Sequence, residues 1–131
     1  MAQRAKDWLR HADARFSLAR HAAAGRHFEW ACFAAQQSAE KAVKALHDHL
    51  GNEAWGQFVT ESLEALPPDV NVPPDLLDRA RALDKLYIPT RGPNGLPAGA
   101  PADFFTGPEA AQAIAAAEEI LAFCRRAIPG P

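Results

Sequence analysis

The sequence predicts an all-α protein, an up-and-down bundle of four long helices plus one short helix, with a long Pro/Gly-rich loop before the last helix. Three observations lead to this prediction. Apolar residues recur at the i, i+3, i+4, i+7 spacing of a helix face, proline and glycine are concentrated in a few connections, and no segment alternates like a strand. A chain of 131 residues fits one domain, so we expect a single helical domain over residues 1–131.

The first two helices are predicted to form an antiparallel pair. Residues 2–23 share an apolar face that includes Trp8, whereas Arg15 is expected to point largely away from it. Gly25 is expected to end that helix in the left-handed conformation that glycine adopts easily. The second helix is predicted from Phe28 to Leu50, and the short link between the two favours antiparallel packing. The apolar stripe of the second helix comprises Phe28, Ala31, Cys32, Ala35, Ala39, Ala42, Val43, Leu46 and Leu50.

Three more helices are predicted in the second half of the chain. A short one covers residues 60–66, a fourth runs from Asp75 to about Tyr87, and a last one runs from about Pro108 to Ala127. Repeated prolines and glycines between residues 88 and 107 exclude a regular helix or central strand there. Phe104 and Phe105 indicate that the far end of this loop is docked on the bundle.

Composition excludes several classes of function. The formal net charge is −2, which gives no overall positive field for sequence-independent nucleic-acid binding. No apolar run is long enough to span a membrane, and Cys32 and Cys124 lie in apolar helical patterns without metal-ligand spacing. We therefore expect a soluble cytoplasmic protein with buried free thiols, no metal, no cofactor and no membrane partner.

The face of the second helix opposite its apolar stripe carries a run of polar side chains. The polar strip comprises Gln37, Glu40, Lys41 and Lys44, with Gln36 and His47 on its flank. One interpretation is a solvated face, in which Glu40 and Lys44 form an i, i+4 ion pair contributing about 0.3–0.5 kcal/mol. The other interpretation is a binding surface.

Two further residues are candidates for a functional site. Trp30 lies on the polar side of the second helix, where it either covers aliphatic side chains or contacts a partner protein, and we favour the partner interface. Arg91 follows Tyr87 by four residues, in a loop with proline on both sides. It either binds phosphate, which the guanidinium group grips in a bidentate manner, or caps helix carbonyls.

The sequence resembles a HEPN domain, the small helical module found in prokaryotes beside or fused to minimal nucleotidyltransferases. The resemblance covers essentially the whole chain. It rests on AKDWLRHADARF in the first helix, FEWACFAAQQSAEKAVKALH in the second, LDKLYIPTRGPNGLPAGAPADFFT with its YIPTR about 45 residues later, and EAAQAIAAAEEILAF in the last helix. It implies a homodimer with a cleft between protomers, nucleotide binding, and partnership with nucleotidyltransferases in toxin–antitoxin modules. In many branches it also implies metal-independent cleavage of RNA.

This chain departs from the ribonuclease branch of that family, which has a histidine four to six residues beyond an arginine. Arg91 matches the arginine, but Leu96, Pro97 and Ala98 occupy the positions where the histidine would fall. Gly92 replaces a common tyrosine, and Gly56, Gln57 and Phe58 stand in place of Gly-His-Ser. Cleavage by the 2′-hydroxyl needs a proton acceptor near neutral pH, a role that histidine fills best, so these departures argue against an active nuclease.

The sequence therefore predicts a non-catalytic HEPN-like protein that binds nucleotide or RNA phosphate, or holds a nucleotidyltransferase partner. The predicted ligand-binding residues are Arg91, Tyr87, Gln37, Glu40, Lys41 and Lys44, and Trp30 is the predicted interface residue. Two alternatives stay open. One is a ribonuclease toxin that uses His47 as its base, and the other is a purely structural dimerisation module.

Overall fold

The computed structural model describes residues 4–53, 56, 58–87 and 98–129. These residues form the helices α1 (Ala5–Ala24), α2 (Phe28–His49), α3 (Val59–Glu64), α4 (Pro74–Asp84) and α5 (Gly107–Ala127), with one turn of 3-10 helix at Pro101–Asp103. No strand occurs in this described part of the chain. The predicted fold class, four long helices and one short helix, is confirmed.

Helix α2 lies at the centre of the bundle and contacts each of the other four α-helices. Its buried face is rich in alanine, and the largest fully buried side chains around it include Leu46, Leu63, Leu83 and Ile120. Small side chains let the helices approach closely. At the contact of α1 with α2, the hydroxyl of Ser38 donates a hydrogen bond to the carbonyl oxygen of Ala12 at 2.7 Å, so this buried hydroxyl has a partner. The core is therefore built around α2.

Two of the side chains placed beside the polar strip are buried, contrary to the prediction. Gln36 is fully buried, and His47 is 2% exposed. The prediction assumed one apolar face, as on a helix at the surface. A helix contacted by four others is covered on more than one side, so the flanks of its polar strip are also enclosed. Leu50, placed on the buried stripe by its spacing, lies after the helix end and is exposed.

The connection between α1 and α2 uses a different residue from the one predicted. Gly25 has φ −86°, and Arg26 takes the left-handed conformation with φ 64°. The backbone N–H groups of Arg26 and His27 donate to the carbonyls of Ala23 and Ala22, which is the Schellman arrangement with Arg26 as the left-handed residue. The Arg26 guanidinium lies 5.4 Å from the centre of the Phe28 ring, a contact that favours this conformation.

The second half of the chain follows the predicted elements with shifted ends. Helix α4 ends at Asp84, three residues before the expected end at Tyr87. Phe105 packs against the core while Phe104 is exposed, so only one of the two phenylalanines docks the end of the loop. Helix α5 begins with a capping box, in which the Thr106 hydroxyl accepts from the N–H of Glu109 and the Glu109 carboxylate accepts from the N–H of Thr106.

Both cysteines are free and buried, as predicted from their apolar surroundings. Burial raises the pKa of the Cys32 thiol and that of the Cys124 thiol to about 12, so both stay protonated near neutral pH. Within the described residues, no helix combines the length and apolar character needed to cross a bilayer.

The start of α3 depends on a carboxylate from another helix. Asp84 accepts hydrogen bonds from the N–H groups of Val59 and Thr60, at 2.8 and 2.9 Å, and from the Thr60 hydroxyl at 2.7 Å. We expect Asp84→Ala to lower the free energy of unfolding by about 1–2 kcal/mol, because it removes the acceptor for these helix-terminal donors. Urea denaturation followed by circular dichroism measures the change.

Asp78→Ala is the matched control for this prediction, because Asp78 is exposed on the same helix and pairs with neighbouring Arg81. We expect it to stay within about 0.5 kcal/mol of the wild type. Equal effects of the two substitutions would contradict the capping role of Asp84.

Candidate functional site between the first two helices

The polar strip of α2 contains a buried carboxylate held by two lysines. Glu40 is only 5% exposed, and its carboxylate oxygens lie 3.1 Å from Nζ of Lys44 and 3.7 Å from Nζ of Lys41. The i, i+4 pair predicted from the sequence is therefore present. The two lysines are largely buried as well, so the strip is not a solvated helix face.

Helix α1 covers this part of the strip with an aromatic side chain. The ammonium groups of Lys41 and Lys44 lie 5.8 and 5.5 Å from the centre of the Trp8 ring, within the range of a cation–π contact. The imidazole of His11 stacks on the same indole, with ring centres 6.1 Å apart and planes 10° from parallel. Trp8 therefore links the two lysines of α2 to a histidine of α1.

Arg15 adds a third cation from α1. Its side chain is half-buried, and its charge acts on both His11 and Lys41. Among the described residues, its Nε atom is buried without a hydrogen-bond partner. The spacing predicted that Arg15 points largely away from the bundle, but it lies close to the charges of α2. The α1–α2 polar cluster is defined as Trp8, His11, Arg15, Glu40, Lys41 and Lys44.

The α1 side of this cluster is not among the site residues that the sequence predicted, although it lies in the AKDWLRHADARF stretch that resembles the family. A signal for it is nevertheless present. Trp8, His11 and Arg15 lie at i, i+3 and i+7, a spacing that groups an aromatic ring with two basic side chains on one side of a helix. The spacing does not show that the lysines of α2 pack against this side of α1.

The α1–α2 polar cluster carries an excess of positive charge. Burial lowers the pKa of Lys41, with further lowering by Lys44 and Arg15 and opposition from Glu40. Burial also lowers the pKa of His11, with further lowering by Lys41, Arg15 and Lys44 and, again, opposition from Glu40. Three cations thus face one carboxylate in a partly desolvated place, where a bound anion would relieve their mutual repulsion.

The other predicted ligand-binding residues are distributed differently. Gln37 is half-buried and lies one turn before Lys41 on α2. Tyr87 is buried, and its ring meets the Phe58 ring edge to face at 5.4 Å. Arg91 lies outside the described residues, so its place relative to the cluster is not part of the structure.

His47, the alternative catalytic base, lies in the core and not at the edge of the cluster. Its Nε2 atom donates a hydrogen bond to the carbonyl oxygen of Ser62 at 2.7 Å. A buried imidazole held in this way has the position of a structural residue, and it is not presented to a ligand in the α1–α2 polar cluster. Within the described ranges, no three histidine, cysteine or acidic side chains are grouped as metal ligands would be.

Trp30 is exposed, as the sequence predicted. It is 55% accessible and meets Phe33 edge to face, with ring centres 5.9 Å apart. It lines an open, largely apolar groove of about 310 Å³. Leu18 is also exposed, which its place on the first helix did not indicate. These residues form the Trp30 groove, lined by Leu18, His21, Ala22, His27 and Trp30.

The fold and the cluster together define an all-α domain with a positively charged site between its first two helices. The protein-family sequence model of the HEPN domain matches residues 5–127. The chain belongs to the HEPN family, as the resemblance of its second helix indicated.

Solved structures agree with this assignment. A protein from Thermus thermophilus is 46% identical, with a TM-score of 0.93 and coverage of 95% of this chain and 98% of that one. An archaeal HEPN homologue is 37% identical, with a TM-score of 0.82 and the same coverage. A HEPN domain protein from Thermotoga maritima is 34% identical, with a TM-score of 0.76 over 92% of this chain and 95% of that one. Comparison with curated protein sequences gives no match.

The ion pair in the cluster should be more strongly coupled than an exposed one. A double-mutant cycle with Glu40→Gln and Lys44→Met should give a coupling energy of roughly 0.5–3 kcal/mol, because both groups are shielded from water. The exposed pair of Arg79 with Glu119, at 2.8 Å, is the control and should give a smaller coupling energy, because water surrounds both side chains. Urea denaturation of the single and double variants measures both cycles. A coupling no larger in the cluster than in the control pair would refute the prediction.

Proposed function

We propose that this HEPN protein is a non-catalytic binding protein, and that its α1–α2 polar cluster binds the phosphate groups of a nucleotide or of RNA. The observation that carries the proposal is the grouping of three cations with one carboxylate. Lys41 and Lys44 lie 3.7 and 3.1 Å from the Glu40 carboxylate, and the charge of Arg15 acts on Lys41 and on His11. The protein as a whole has a net charge of −2. Its positive charge is therefore concentrated locally, as suits a site for one phosphate group or a few.

The chemistry of these side chains supports phosphate as the ligand. Lysine and arginine donate charge-assisted hydrogen bonds to phosphate oxygens, and such bonds are stronger than those between neutral groups. Burial of Glu40 and partial burial of the lysines reduce screening by water, so an anion in the cluster interacts strongly with these charges. Arg91, Tyr87 and Gln37 belong to the proposed site on sequence grounds alone.

The proposed activity is binding without cleavage. Leu96, Pro97 and Ala98 stand where the ribonuclease branch has its histidine, and none of them can accept a proton. His47 is buried and already donates to the Ser62 carbonyl. His11 is the one histidine of the cluster, and it lies on α1 and not in the segment after Arg91, where the ribonuclease branch has its histidine. Incubated RNA should therefore remain intact, and its degradation by purified protein would favour the ribonuclease alternative.

Titration calorimetry with ATP, GTP and a short RNA tests the ligand. We expect binding to at least one of them and a loss of about tenfold or more in affinity for Lys44→Gln, because a hydrogen bond to a charged group contributes about 1.5–3 kcal/mol. Arg126→Gln removes one exposed cation at the end of α5 and is the matched control. Binding should weaken with added salt.

The same titration defines the result that refutes the proposal. If none of the three ligands gives heat with the wild type, the cluster is not a phosphate site. If Lys44→Gln and Arg126→Gln bind equally well, the phosphate lies elsewhere on the protein. Arg91→Ala is a separate arm that tests whether the loop contributes.

We further propose that the Trp30 groove is the surface through which two copies of this chain pair. A large exposed aromatic side chain beside exposed Leu18 is the observation that favours this, since tryptophan is enriched at the centres of interfaces. The residues that line the groove include no lysine or arginine and no carboxylate. A second copy of the same groove can therefore approach without repulsion between such charges.

Trp30→Ala should weaken the dimer by about 2 kcal/mol or more, roughly 30-fold in the dissociation constant, because it removes a buried anchor from the interface. Sedimentation equilibrium measures this change. Phe104→Ala is the control, since Phe104 is an exposed aromatic outside the groove. A monomeric wild type would refute the pairing, and a dimer unaffected by Trp30→Ala would show that the groove serves another partner, such as a nucleotidyltransferase.

A further inference from the structure

We propose that His11 and Arg15 of α1 bind the same phosphate as Lys41 and Lys44, and that His11 does so in its protonated form, so that binding takes up a proton. This inference rests on the proposed phosphate binding and deepens it. It adds α1 to a site that the sequence placed on α2 and on the loop of Arg91, and it makes the affinity depend on pH.

The geometry brings both residues to the lysines. Trp8, His11 and Arg15 lie at i, i+3 and i+7 on α1, so they share one side of that helix. Trp8 sits under both ammonium groups and stacks on His11. The imidazole and the two ammonium groups therefore contact the same indole ring, and the half-buried position of His11 leaves it accessible to a ligand.

Arg15 offers a donor that the described protein does not use. Its Nε–H is buried without an acceptor among the described residues, and the side chain forms no salt bridge with them. Buried donors are nearly always hydrogen-bonded in folded proteins. A phosphate oxygen beside Lys41 would supply the missing acceptor and would also compensate the charge of the guanidinium.

The charges that face His11 come from both helices of the pair. Arg15 acts on it from α1, and Lys41 and Lys44 act on it from α2, while Glu40 of α2 opposes them. Burial and the three cations lower the pKa of His11 from its usual 6.5, so the empty site holds a neutral imidazole near neutral pH. A bound phosphate adds negative charge and raises that pKa.

The sign of the pH dependence follows from this difference. The pKa of His11 is higher in the complex than in the free protein, so the complex holds more protons between the two values. Affinity therefore rises as pH falls through that interval, by at most about tenfold per pH unit for one proton. Lys41 also has a lowered pKa, mainly because it is partly buried. The His11→Gln variant keeps Lys41 and therefore separates its contribution from that of His11.

The experiment needs a phosphate ligand that does not titrate in the same range. A short oligouridylate without terminal phosphates meets this need, because its phosphodiesters stay ionised at every pH used. UTP forms a second arm that distinguishes a free nucleotide from RNA. Its terminal phosphate takes up protons of its own with a pKa near ~6, so only the difference between protein variants is interpreted there.

Calorimetry is performed at about pH 6 and about pH 8, on either side of the ordinary pKa of histidine, in buffers of different ionisation enthalpy. The wild type should bind more tightly at the lower pH and take up a fraction of a proton. His11→Gln should lose both the extra affinity and the proton uptake, while it still binds at the higher pH. His49→Gln replaces a histidine at the end of α2, outside the cluster, and should behave as the wild type.

Arg15→Gln tests the second half of the inference. It should weaken binding about tenfold at both pH values, because the lost donor is charged at either pH, and Arg126→Gln should have no such effect. Circular dichroism confirms that each variant is folded. The NMR signal of the His11 imidazole is the one present in the wild type and missing from the His11→Gln spectrum. Titration of this signal in the wild type gives the pKa of His11 with and without oligouridylate, and the pKa should be higher with the ligand.

The outcomes distinguish this inference from the proposed phosphate binding on which it rests. If the wild type binds without proton uptake, or if His11→Gln keeps the pH dependence of the wild type, the role of His11 is refuted while phosphate binding stands. If Arg15→Gln binds as tightly as Arg126→Gln, the role of Arg15 is refuted. If neither oligouridylate nor UTP binds at either pH, the phosphate proposal fails and this inference fails with it.

Discussion

The enclosure of α2 by four other helices is the constraint on which the rest of this structure depends. An enclosed helix can carry polar side chains only where the protein itself supplies their partners, because unsatisfied buried groups are costly. Three buried side chains of α2 have such partners, although Nδ1 of His47 is itself buried without one among the described residues. Ser38 donates to a carbonyl of α1, His47 donates to a carbonyl of α3, and Glu40 is held by Lys41 and Lys44. The Glu40 group differs from the other two because its two lysines carry more positive charge than the one carboxylate balances.

Stability alone does not account for the composition of the α1–α2 polar cluster. A carboxylate taken out of water needs one well-placed cation, and a buried ion pair is often no more stable than apolar residues of similar volume. This cluster places Lys41, Lys44 and Arg15 near the one carboxylate of Glu40. Burial lowers the pKa of Lys41 and of His11, and the neighbouring cations lower both further, so holding these charges together has an energetic cost in the empty protein. An anion that binds at the cluster would offset this cost. Anion binding is therefore a physical reason for the three cations to lie together.

The sequence predicts most of the fold and part of the site. Periodicity locates α2 to within one residue at each end, and i, i+4 spacing identifies the pair of Glu40 with Lys44. Prediction fails where distant parts of the chain meet, as where Asp84 caps a helix that begins 25 residues earlier. Placing residues about 100° apart around one helix does not show which side chains of a neighbouring helix will pack against them. Spacing places Trp8 against the core, where it does pack, but it does not show the contacts of Trp8 with Lys41 and Lys44. Spacing also assigns Arg15 to the solvent, although that side chain is half-buried and its charge acts on Lys41.

Antiparallel packing of α1 and α2 separates the two proposed surfaces. The cluster joins the first half of α1 to the second half of α2, and the Trp30 groove joins the last turns of α1 to the first turn of α2. Trp30 and Lys41 are eleven residues apart on one helix, which places them about 16 Å apart along its axis. That separation exceeds any direct contact, and the lining of the Trp30 groove holds no lysine, arginine or carboxylate to interact with the charges of the cluster. Any coupling between phosphate binding and pairing therefore has to pass through the packing of the two helices.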